Sequence, residues 1–190
     1  MARVRLIEGR ESPLVLRLLN RASHRMLGQE ATPLKILAHN PRFLLPYLVM
    51  TRLVQAKTRL DPAVRMLAMH LVAETNGCSW CIDFGLSQAT THDVDPAKLG
   101  AARSYATNPI FSPAERAALA YAAEATAVGA CVSDETFARL RQHYSEQEIV
   151  ELTVAVAVEN MFNRLNAPLE VEAQGFCALP RRAAGQRRAS

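Results

Sequence analysis

The sequence predicts an all-α fold, one oligomeric helical bundle of about eight helices. Three observations carry this expectation. Alanine and leucine dominate, and apolar residues recur at helical spacing. Strand-like alternation is scarce, and only 8 glycines interrupt 190 residues. Helix start signals, above all Asp-Pro and Ser-Pro pairs, recur along the chain. A composition with 49% hydrophobic and 21% charged residues is an ordinary globular mixture, and the length allows a sizeable core.

Residues 13–28 read as a first helix, or two short ones, ending at Gly28. Pro33 opens a short helix that stops at Asn40-Pro41. Residues 41–60 continue helically, with Pro41 in the first turn and Pro46 close enough to the start to be tolerated. Asp61 as N-cap and Pro62 at the first helical position give the strongest start signal, and Asn76-Gly77 breaks the helix they open. A helix restarts at or near Cys78, and Asp95-Pro96 opens another over 95–108. Ser112 and Glu115 are spaced as a capping box, Ser133 opens a further helix, and Ser145 with Glu148 forms a second box. That last helix centres on Leu-Thr-Val-Ala-Val-Ala-Val, apolar on nearly all sides. It predicts a buried helix, in the domain centre or between subunits.

Residues 1–175 are expected to form one domain and residues 176–190 a basic tail. The net charge is +4, but the last ten residues hold four arginines and no acid; the other 18 Lys/Arg balance 18 Asp/Glu. A solvated terminus fits this better than a nucleic-acid surface, which needs a basic patch on a folded face. No run of about 18 apolar residues predicts a membrane span. The N-terminus has no apolar run of signal-peptide length, so a cytoplasmic protein is expected. Cysteines in that compartment are mostly reduced, and a pair that bonds there does so transiently, as chemistry.

The stretch Asn-Gly-Cys-Ser-Trp-Cys, residues 76–81, carries the functional signal. Zinc would need a second ligand pair, and Cys131, Cys177 and His92 offer none with matching spacing, so neither a metal nor another cofactor is expected. A redox pair fits the context. Cys78 falls in the first helical turn, where unpaired N–H groups and the helix dipole favour a thiolate. Cys81 lies one turn on, on the same face, placed to attack a sulfenic acid or mixed disulfide on its neighbour. Both sulfurs are expected to face one cavity. Trp80 either walls that cavity or simply packs. His70 and Glu74, at i and i+4, share a helix face and are candidates for proton transfer; a buried histidine satisfied by Glu74 is the plainer reading. Asp83 is expected to cap, pair with an arginine, or line the pocket. His24, His39 and His143 read as surface histidines. Asn160, Asn163 and Arg164 share a face, and with Asn166 form a polar run expected to bond to the cysteine region or to a neighbouring subunit.

These residues resemble the carboxymuconolactone decarboxylase/AhpD-like family. The resemblance rests on residues 64–85, with the helices after Ser112, Ser133 and Ser145, and covers about residues 38–166. It implies an oligomeric helical fold, a homo-oligomer from dimer to hexamer, and reduction of small hydroperoxides by a dithiol/disulfide pair. The electron donor is then a thiol of unidentified source. The family motif runs glutamate, eleven residues, CxxC, three residues, histidine. It makes Cys81 the peroxide-reactive sulfur and Cys78 the resolving one, whereas the dipole argument alone favours Cys78 as the reactive thiolate. The glutamate position falls on Met66 and the histidine position on Gly85, so both members of the usual relay are missing, and His70 and Glu74 are the candidates to substitute. Two other readings stand beside this one. A lyase acting on a small carboxylated lactone would use Arg65, His70 and Arg164. A non-catalytic oligomer would use the pair only to sense redox state or to pack.

Overall fold

The computed structural model describes residues 2–88 and 94–176. Nine α-helices and no strand appear among them, so the fold is all-α. They are α1 (Leu14–Leu27), α2 (Thr32–Leu37), α3 (Leu44–Gln55), α4 (Pro62–Thr75), α5 (Ser79–Gln88), α6 (Pro96–Gly100), α7 (Pro113–Thr126), α8 (Asp134–Arg141) and α9 (Glu146–Asn166). The start signals act as read. Asp61 and Asp95 accept from the N–H groups of Ala63 and Ala97. Ser112 with Glu115, and Ser145 with Glu148, close reciprocal capping boxes, and Ser133 accepts from Thr136 N–H. Each such cap is worth about 1 kcal/mol over alanine.

One element differs from expectation. The helix foreseen over 95–108 stops at Gly100 and tightens into a 3-10 turn at Ala102–Ser104. The turn packs Leu99 and Ala102 into one buried cluster with Phe111. Among the described residues, α9 is buried on one face. Leu152, Ala155, Val156 and Val158 are buried, while Val150, Val154, Met161 and Leu165 are exposed.

Helix α4 is the centre of the bundle, packed against α5, α7 and α9. Its Val64, Ala68 and Val72, at i, i+4 and i+8, meet Ala118 and Ala122 of α7 and Leu152 and Val156 of α9. Leu67 and Leu71 turn to the cluster around Phe111. After α9, residues 171–176 run back along α5 as a strap. Asp83 Oδ2 accepts from the backbone N–H groups of Gln174 and Phe176 at 2.9 and 3.1 Å. Gln174 also ties in the turn before α2, donating to Glu30 O and accepting from Thr32 N–H. Phe176 packs edge-on against Trp80 and Phe84. The tail residues 177–190, and the candidate zinc residues His92 and Cys177, lie outside the described residues. No helix of the described residues is long and apolar enough to cross a membrane.

Candidate active site

The break at Asn76-Gly77 aims the cysteines. Gly77 takes the left-handed conformation, φ +66°. Its N–H bonds to Glu74 O, and Cys78 N–H to Ala73 O, which closes α4 in a Schellman motif. The chain re-enters a helix at once. Ile82 N–H bonds to Cys78 O, so Cys78 is the N-cap of α5, one position before the first turn expected for it. Its Sγ accepts from Cys81 N–H at 3.3 Å, as a capping side chain does. The two cysteines, with Cα atoms 5.3 Å apart, are joined as a disulfide.

The sulfurs do not share one environment. Cys81 lines a cavity of about 300 Å³ between α1, α2, α3, α4, α5 and α9, whereas Cys78 is fully buried and does not line it. The expectation that both sulfurs face the cavity is therefore corrected, because the N-cap position turns Cys78 inward under the α4–α5 junction. Asn166 Nδ2 donates to Cys81 Sγ at 3.5 Å, the bond to the cysteine region that the asparagine run led us to expect. Asn160 and Asn163 instead accept from Asn76 Nδ2 and fasten the α4 terminus to α9.

His70 also lines the cavity. Its side chain is 2% exposed, and Nδ1 has no hydrogen-bond partner. A Cβ built on Gly85 would stand 3.6 Å from that Nδ1. The imidazole of α4 thus lies against the point of α5 where the family motif places a histidine. Burial lowers the His70 pKa below its ordinary value, so at neutral pH the ring is neutral. Glu74 Oε1 stands 3.7 Å from Nε2, too far for the expected hydrogen bond and, with a neutral ring, not an ion pair. Burial raises the Glu74 carboxyl, against the pull of Arg103. Glu74 is not among the residues lining the cavity.

The rest of the wall is mostly apolar, including Leu34, Val54, Met66, Met69 and Phe162. Trp80 both walls and packs: it lines the cavity, stacks on Phe84, and donates from Nε1 to Gln174 Oε1. Asp83 accepts from the strap. Arg65 reaches the cavity, but its guanidinium donates to Ala56 O and Thr58 Oγ1, and Arg164 is exposed and does not line it. His24, His39 and His143 are exposed, as read. Cys131 is exposed and unbonded. One acidic cavity residue escaped the sequence reading. Glu159 is 7% exposed, and burial raises its pKa to about 7 while Asn163 holds it down. A lone carboxylate after seven mostly apolar residues, with an asparagine four positions on, was the available signal.

The fold and site define a class: an all-helical protein whose CxxC pair offers one sulfur to an apolar cavity and keeps the other behind it. The sequence pattern of the carboxymuconolactone decarboxylase family matches residues 47–124. YnjA of Escherichia coli strain K12 is 30% identical over 169 residues, covering 88% of this chain and 93% of that one. The chain belongs to the carboxymuconolactone decarboxylase family. An alkylhydroperoxidase AhpD core protein of Ralstonia eutropha JMP134 shares the fold with a TM-score of 0.82 at 18% identity, over 95% of this chain and 98% of that one. The debrominase Bmp8, solved with 2,3,4-tribromopyrrole, shares it with a TM-score of 0.80 at 22% identity, over 93% and 95%.

Proposed function

We propose that this chain is a thiol-dependent reductase of small hydroperoxides, with Cys81 as the attacking sulfur and Cys78 as the resolving one. The observation that carries this reading is the division of the pair. Only Cys81 lines the cavity, and only Cys78 is fully buried behind it. The Asn166 N–H favours a thiolate on Cys81 in the reduced form, and the neutral His70, which lines the same cavity and has an unpartnered Nδ1, is the proposed acceptor of the thiol proton.

The Cys81 thiolate attacks the distal peroxide oxygen. The O–O bond breaks, the alkoxide leaves as an alcohol by taking the proton from His70, and Cys81 becomes a sulfenic acid. The Cys78 thiol then attacks the Cys81 sulfur, expelling water and forming the disulfide. An external dithiol restores both thiols. Glu74 stands behind the His70 ring as its acidic neighbour. A homo-oligomer in the cytoplasm is the expected setting.

The neighbouring debrominase and the apolar cavity favour a second substrate for the same thiols, a halogenated ring. Cys81 would take the halogen as a cation equivalent, the ring carbon a proton from His70, and Cys78 would displace halide to form the disulfide. The lactone-lyase reading finds less support, because Arg65 is engaged and Arg164 stands outside the cavity.

The test is consumption of cumene hydroperoxide with dithiothreitol as reductant. Wild type should exceed the Cys78→Ser/Cys81→Ser double variant, Cys81→Ser should match that control, and His70→Phe should fall by roughly 100-fold. Wild-type turnover no faster than the double variant rules the peroxidase reading out.

A further inference from the structure

Glu159 is the one carboxylate lining the cavity among the described residues, and the proposed thiol chemistry does not use it. It stands on α9 with Asn163 and Asn166 at i+4 and i+7, so one helix face carries all three. Seven residues of helix separate Glu159 from the asparagine that touches Cys81 by about 10 Å along the axis. By that rise the Glu159 backbone is set away from the point of α9 that meets the sulfur, in the wall of the same cavity. Asn163 Nδ2 donates to Oε1 at 2.7 Å. Among the described residues no other hydrogen bond and no ion pair reaches the carboxylate. The surroundings are apolar: Phe162 and Val54 lie beside it with Met69 in one cluster, and Tyr47 is close enough for the Glu159 charge to raise its pKa.

A buried carboxylate with an open oxygen in a hydrocarbon wall is an unmet acceptor. We propose that Glu159 anchors the substrate: it accepts from an N–H or O–H at the end of an otherwise apolar, uncharged molecule, holding the opposite end toward Cys81. The cavity then prefers donor-bearing neutral compounds and rejects carboxylates. The inference rests on the cavity being the substrate site of the thiol chemistry proposed above, and it names the class of substrate.

The test uses the full chain in its disulfide form, which has no free dithiol to turn over, and isothermal titration with indole and 1-methylindole. Wild type should bind indole at least about tenfold more tightly, the factor expected of one charge-assisted hydrogen bond. Glu159→Leu should abolish the preference, and Glu159→Gln, which keeps an acceptor oxygen, should reduce it. Lowering the pH from 8 to 5.5 should reduce the preference in wild type, as the carboxylate protonates, and not in Glu159→Gln. That comparison holds even where the leucine variant fails to fold. Of the other cavity groups, Tyr47 on α3 and Arg65 on α4 do not titrate in that range, Cys81 on α5 is bonded, and His70 on α4 is common to both proteins. Equal binding of the two probes, a preference that survives in Glu159→Leu, or no binding of either probe overturns the proposal. Because oxidised protein is used, a failure of peroxide turnover leaves the anchor intact, and a failure of the anchor leaves the thiol reading intact.

Discussion

Cys78 and Cys81 are three residues apart, yet the α5 N-terminus gives them different work. Cys78 accepts the N–H of Cys81 as a helix cap, while Cys81 meets Asn166 and the cavity. His70 and Glu159 are buried beside that cavity, and their pKa values move in opposite directions. The Glu159 carboxyl, at about 7 when folded against 4.5 unfolded, binds its proton more tightly in the native state. The native chain then holds more protons than the unfolded one between those values, so stability falls as pH rises from about 4.5 through about 7. At about 1.4 kcal/mol per pH unit the loss comes to roughly 3 kcal/mol. His70 works the other way, costing stability below about 6.5, and cancels when wild type is compared with a Glu159 variant. In urea titrations, Glu159→Gln should gain on wild type by roughly 3 kcal/mol between pH 4.5 and 8. A constant difference would show that this carboxyl is not perturbed. At this scale the sequence shows the cysteine pair, because CxxC is a local pattern. It does not show that His70 lies beside Gly85, since that depends on how α4 crosses α5.

Helix α5 carries the cysteine pair and is fixed by different means at its start and along its outer face. A left-handed glycine and the Schellman bonds fix its start. The strap of residues 171–176 fixes its outer face through Asp83 and Gln174. Asp83→Ala would leave the Gln174 and Phe176 N–H groups without that acceptor, Phe176 N–H in a buried setting. It should cost about 2 kcal/mol. Hydrogen exchange at those two amides should quicken while the α7 amides stay protected; unchanged exchange would show that the strap is held elsewhere. The helix starts were legible because Asp-Pro, Ser-Pro and Ser-x-x-Glu act within one turn. The strap was not, because residues 171–176 have no periodicity and make their bonds about ninety residues away in sequence.

The bundle closes around α4, but among the described residues not every apolar helix face is covered. Leu45, Val49 and Leu53 of α3 recur at i, i+4 and i+8 and are exposed; so are Val150 and Val154 of α9, and Leu14 and Leu18 of α1. Exposed stripes of this kind mark association surfaces, and the homo-oligomer expected from sequence would cover them. Light scattering on the purified chain should give an integral multiple of the monomer mass, reduced by Leu45→Lys with Val154→Lys. A monomer at micromolar concentration would contradict it. The all-α architecture was readable from helical periodicity alone. Of the burial expected for α9, in the domain centre or between subunits, the described residues of one chain supply one face.

The most direct measurement of the division of labour is trapping of sulfenic acid by dimedone after brief peroxide treatment, read by peptide mass spectrometry on single-serine variants. Cys78→Ser should carry the adduct on Cys81, and Cys81→Ser should carry almost none on Cys78. Labelling of Cys78 in preference to Cys81, or of neither, would contradict the assignment of the cavity-facing sulfur as the one that meets substrate.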